Sequence, residues 1–148
     1  MDTDRQRAGA AGREYPERDY PHQELTSKII ASSFAVFRTL GYGFLESVYR
    51  RALAVELQYC GVRIAQEVSY EIRYRGVSVG VYRADLVANS IVMVETKTGS
   101  FLDPTTPDQL LNCLSAAHLR LGLIVYFGPK GARVRRIIRS DDDRITHM

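Results

Sequence analysis

The chain is poor in the residues that build covalent links and soft-metal sites. Two cysteines, Cys60 and Cys113, occur in 148 residues. They lack the paired spacing of a zinc site, so both are expected to be reduced, partly buried thiols. The three histidines, His22, His118 and His147, also lack ligand spacing. His118 reads as partly buried or interfacial and His147 as part of the tail. No apolar run approaches the ~20 residues that cross a bilayer, which excludes a helical membrane span. The N-terminal Met-Asp-Thr-Asp-Arg-Gln-Arg has no apolar signal-peptide core, so a cytoplasmic location is expected. There is no Gly-rich phosphate loop and no internal repeat.

What remains is an ordinary globular composition, 45% hydrophobic and 25% charged, long enough for one domain with a sizeable core. A net charge of +3 and a pI near 9.0 permit a polyanionic partner without requiring one. Residues 1–21 are rich in charge, Gly, Ala and Pro and show no apolar periodicity, which predicts a disordered or loosely attached arm. From His22 the periodicity is helical: Leu25, Ile29, Ile30, Phe34, Val36 and Phe37 recur up to about Leu40. Gly41-Tyr42-Gly43 breaks that helix. A second helix is predicted from Leu45 to Tyr59, lined by Val48, Ala52, Val55 and Leu57. Strands follow over Val62 to Tyr74, Val77 to Ala88 and Ile91 to Lys97. A helix from about Asp108 to Leu119 carries Leu110, Leu111, Leu114 and Ala117. An apolar strand from Leu121 to Phe127 and a basic strand from Arg133 to Arg139 complete the domain at residue 140, and 141–148 form an acidic tail. The order ααβββαββ predicts an antiparallel meander, then a helical crossover to a parallel strand, giving an α+β domain with a mixed sheet.

The chemistry concentrates in Ile91-Val-Met-Val-Glu95-Thr-Lys97. Residues two apart on a strand share a face, so Glu95 and Lys97 point the same way at the end of a segment that otherwise reads as buried. Asp85 stands ten residues before Glu95. Charges so placed must be paired, solvated or bound to metal. Two carboxylates suit a hard cation, and the lysine suits charge developing on a substrate. Thr96 faces the other way, but its backbone carbonyl lies between the two strand residues and is a further oxygen donor. The bland alternative is a solvated charge cluster at a strand end.

Asp85, nine residues and Glu95-Thr96-Lys97 resemble the Asp…Glu-X-Lys signature of the PD-(D/E)XK nuclease superfamily, and the element order resembles its restriction-endonuclease-like core. Gly43-Phe-Leu-Glu46-Ser-Val-Tyr49 further resembles the Gly-X-X-Glu-X-X-Tyr motif of the GxxExxY proteins, and Tyr82-Arg83-Ala84-Asp85 and the run from Gln109 fit as well. The resemblance spans about residues 22–140. It departs at Ala84, where the superfamily has Pro, and at Cys113, where related nucleases carry Tyr four residues after the helix Gln. It implies a nuclease using Mg²⁺ or Mn²⁺, with Asp85, Glu95, the Thr96 carbonyl and Glu46 as metal ligands and Lys97 as charge stabiliser. DNA or RNA is the expected substrate, and a homo-oligomer is left open.

Other residues divide between function and scaffold. Near a helix start, Glu46 is favourable by about 0.5 kcal/mol whatever else it does. Tyr49 reads as a packing residue with a polar tip. Gln109 is placed to touch a phosphate or a water. Lys130, Arg133 and Arg135, with Arg136 and Arg139, form either a charged guard on an edge strand or a phosphate-contacting rim. The alternative to an enzyme is a catalytically silent module of the same fold that binds nucleic acid or a protein. A small-molecule phosphate enzyme is a third reading.

Overall fold

A computed structural model of the chain describes residues 22–140; the predicted arm and acidic tail lie outside them. Two helices come first, α1 (Gln23–Leu40) and α2 (Glu46–Tyr59). Strands β1 (Ile64–Tyr74), β2 (Val77–Ala88) and β3 (Val92–Thr98) follow, then α3 (Thr106–Ala117), β4 (Leu121–Gly128) and β5 (Gly131–Ile138). The five strands form one sheet in sequence order. All neighbours are antiparallel except β3 and β4, which α3 joins in parallel. This is the expected mixed α+β sheet flanked by helices. No helix among the described residues is long and apolar enough to cross a membrane.

The sheet is buried on both faces. Leu25, Ile29 and Val36 of α1 and Tyr49, Leu53 and Leu57 of α2 pack against Leu86, Val94, Leu123, Val125 and Phe127. On the other face, Leu110, Cys113 and Leu114 of α3 pack against Ala84, Val87, Met93 and Ile124. Every residue of β4 is buried, as its uninterrupted apolar run requires of a central parallel strand. The α2 face differs from the predicted one. Val55 is 66% exposed and Val48 and Ala52 are half-buried, because Tyr49, Leu53 and Leu57, at exact four-residue spacing, carry the larger apolar area. Cys60 is likewise exposed at the end of α2, whereas Cys113 is buried; both are free thiols. His118 is exposed and caps α3 in a left-handed conformation at φ 56°. α3 starts two residues earlier than expected, with Pro107 in its first turn, where a missing amide proton does no harm.

Helix α3 packs tightly on β4 at Gly122. A Cβ there would lie 2.9–3.1 Å from Cγ and both methyls of Leu110. Three atoms of one buried side chain cannot all move aside cheaply. Gly122→Ala should therefore lower the unfolding free energy by about 1–3 kcal/mol in chemical denaturation. In a Leu110→Ala background the added loss should be much smaller. Full additivity of the two changes would contradict this packing.

Candidate active site

The site forms where the β2–β3 ladder ends. The two strands pair only through Leu86↔Val94, Val87↔Met93 and Ala88↔Val92. The β1 ladder also skips a step here, passing from Gln66↔Leu86 to Val68↔Ala84, with Glu67 at φ 50°. In the resulting gap, Asp85 Oδ2 accepts hydrogen bonds from the backbone amide and the hydroxyl of Thr96, at 2.8 and 2.9 Å. The carboxylate replaces a strand carbonyl and satisfies an amide that the ladder would otherwise have paired. Thr96 thus does more than expected of it: on the face opposite Glu95, its fully buried side chain also holds Asp85. The reason is that the strands separate, so Asp85 lies between them and not on one face.

Glu95 and Lys97 share the face of Met93, toward α3. The Glu95 carboxyl lies near Asp85 and is partly buried. Burial first, then the Asp85 hydrogen bond and charge, push its pKa up to about 9; Lys97 opposes the shift and Glu46 adds to it. Glu95 therefore holds a proton at neutral pH. Burial, followed by the charges of Glu95 and Asp85, pushes the neighbouring Cys113 thiol up to about 11, so it stays neutral and unreactive.

Glu46 enters from the first turn of α2. Burial raises its pKa, Lys97 lowers it, Asp85 raises it and Arg50 lowers it. Tyr49 holds that helix end in place. Its ring stacks on Phe127 at 4.5 Å, and its hydroxyl donates to the Gly41 carbonyl and accepts from the Phe44 amide. Between them Gly43 takes φ 119°, a conformation only glycine adopts readily. The packing role expected for Tyr49 is what the structure has, and through it the loop and Glu46 are fixed relative to β4.

The remaining residues lie farther out. Gln109 is exposed, its amide donating to Thr105 Oγ1 at 3.3 Å, one turn before Cys113. Lys130, Arg133 and Arg135 are exposed on the β4–β5 hairpin. Register places them informatively: Glu95 pairs with Ile124 and Lys97 with Tyr126, and these pair with Arg135 and Arg133 in turn. Arg139 does not join the basic rim. It is buried, and its Nε donates to the Leu119 carbonyl at 2.9 Å. The hold of the Thr96 hydroxyl on Asp85 and the register of Tyr126 opposite Lys97 carried no signal in the sequence.

Among the described residues, no three Asp, Glu, His or Cys side chains are gathered closely enough to hold a metal ion by themselves. The donor set nonetheless fits Mg²⁺ or Mn²⁺. Mg²⁺ is commonly held by one or two carboxylates, with waters and substrate phosphates completing its shell. A buried carboxylate pair that must keep a proton to relieve its repulsion is a site a cation suits.

A family model of the PD-(D/E)XK nuclease superfamily matches residues 23–138. Among solved structures, the crystal structure of SSO0001 is similar in fold, with a TM-score of 0.50 at 22% sequence identity. The match covers 68% of this chain and 53% of that one, so the chain spans about half the length of that protein. No curated protein matches the chain.

The Glu95 shift has a measurable consequence. Between its ordinary value of 4.5 and its folded value of about 9, the folded chain keeps a proton that the unfolded chain has lost. Stability must then fall as pH rises through that window. Without divalent cations, the thermal midpoint should decline from pH 5 to pH 9, and Glu95→Gln should flatten the decline. Identical pH profiles for the two proteins would show that Glu95 is ionised in the folded state.

Proposed function

This chain belongs to the PD-(D/E)XK nuclease superfamily, and from that premise we propose that it hydrolyses phosphodiester bonds in nucleic acid, with residues 22–140 as the catalytic domain. The observation that carries the reading is the convergence at the end of β3: Thr96 holds Asp85 through two hydrogen bonds, and Glu95 and Lys97 flank Thr96 on one face of the strand. Gly43, Glu46 and Tyr49, joined through one loop and helix end, support a place among the GxxExxY proteins.

Asp85 and Glu95 would hold Mg²⁺ or Mn²⁺, with the Thr96 carbonyl and Glu46 as further oxygen donors. The bound cation would polarise the scissile phosphate and make a coordinated water acidic. Thr96 fixes the Asp85 carboxylate through two hydrogen bonds, so one of its oxygens is oriented before substrate arrives. As a ligand Glu95 would be ionised, its proton passing to solvent. The Lys97 ammonium, on the same face, stabilises the negative charge that grows on the phosphate as water adds and the ester oxygen departs. Gln109, Lys130, Arg133 and Arg135 contact flanking phosphates and position the strand without reading its sequence.

Two substitutions test this reading. Glu95→Ala should abolish Mg²⁺-dependent cleavage of labelled DNA and RNA while leaving stability equal or slightly higher, since a buried acid is removed. Undiminished cleavage in that variant, or cleavage that survives EDTA, would defeat the mechanism. Lys97→Met retains the packing of the aliphatic stem. It should lower cleavage by orders of magnitude but weaken binding far less, because affinity comes from distributed phosphate contacts. The absence of any wild-type cleavage with Mg²⁺ or Mn²⁺ would leave the silent binding module as the better description.

A further inference from the structure

The cross-strand rows that contain Glu95 and Lys97 lead away from the site. Glu95, Ile124 and Arg135 form one row, and Lys97, Tyr126 and Arg133 the next. Directly paired residues share a face, so both arginines lie on the side of the sheet that carries Glu95 and Lys97, two strand spacings away, or roughly 10 Å. A groove of about 800 Å³ wraps the β4–β5 end of the sheet, lined on this side by Phe101, Tyr126, Lys130, Arg133 and Arg135 and reaching round the edge to Phe34 of α1. Among the described residues, no carboxylate forms an ion pair with Lys130, Arg133 or Arg135.

Phe101 stands out in this groove. Its ring is 77% exposed, four residues beyond Lys97. Isolated exposed apolar residues are common and need no explanation, but this one sits on a loop anchored to the sheet. The Tyr126 hydroxyl donates to the Gly99 carbonyl. To reach it, the Tyr126 ring lies over Gly128, where a Cβ would come within 2.4 Å of the ring. The fold thus keeps space at Gly128, uses it to brace the loop, and presents an apolar ring to water beside three cations.

Resting on the nuclease reading above, we propose that the groove takes an unpaired strand of nucleic acid, with a base stacked on Phe101 and the adjoining phosphates on Lys130, Arg133 and Arg135. Basic side chains interleaved with exposed aromatic faces are what single strands need. Their bases offer free π-faces to stack on, whereas the bases of a duplex are already stacked on one another. The geometry accommodates DNA and RNA strands alike, and the test separates them.

The test is fluorescence anisotropy with the full chain in EDTA, so that no cleavage occurs, at one fixed salt concentration. The probes are labelled oligo-dT, oligo-U and a DNA duplex of equal length. Wild type should bind at least one single strand more tightly than the duplex. Phe101→Ala should weaken single-strand binding roughly 5- to 100-fold and leave duplex binding within about twofold. Arg135→Gln should weaken all probes alike and lower the salt-dependence slope by about one. A duplex preference in the wild type, or single-strand affinity unmoved by Phe101→Ala, overturns the proposal. Cleavage assays with Mg²⁺ judge the nuclease reading separately. Phe101-dependent strand binding without cleavage would refute catalysis and sustain the groove, while cleavage with Phe101-independent binding would do the reverse.

Discussion

Two hydrogen bonds from Thr96 to Asp85 stand where a backbone ladder would otherwise continue, and the rest of the site follows from that substitution. Once a side-chain carboxylate satisfies the β3 amide, β2 is free to leave β3. The β1–β2 hairpin then runs on as a two-stranded arm, with Val77, Val79 and Val81 exposed along it. The separation opens the space in which Asp85 meets Glu95. Had the ladder continued, Asp85 would have been committed to one face of the sheet. Lying between the strands, it is held by Thr96 and still joined to Glu95, which faces α3.

Two carboxyl groups brought together under partial burial are unfavourable unless a proton or a cation intervenes. The fold absorbs that penalty with a core on each side. Tyr49 stacked on Phe127 ties α2 and Glu46 to β4. Leu110 against Gly122 brings α3 down on the opposite face, which places Cys113 beside the carboxylates. Both contacts converge on β4, the fully buried strand next to Glu95 and Lys97. The acidic site is therefore braced from two directions through a fully buried strand, as a preorganised site requires.

The same strand carries the site outward. Because pairing on both edges of β4 is regular, the alternation that points Glu95 and Lys97 toward α3 also points Ile124 and Tyr126, and then Arg135 and Arg133, to that side. Glu95 and Lys97 thus share one surface with Arg135 and Arg133.

Much of this was legible in the residues. Strand alternation is local, so the common face of Glu95 and Lys97 followed from their spacing, and the element order followed from apolar periodicity and turn residues. Tyr49 could be assigned to packing from its position on α2. Other features depended on partners distant in the chain. Val55 and Val48 looked like core residues until the sheet selected Tyr49, Leu53 and Leu57 as the larger apolar face. Arg139 looked like part of a basic rim until the Leu119 carbonyl drew it inward. Composition and spacing carry the backbone's local preferences and the identity of the acids and the lysine. The early end of one ladder, the raised pKa of Glu95 and the alignment of the arginines with the carboxylates arise only when β2, β3, β4 and α3 are brought together, because burial and register are properties of contacts between segments.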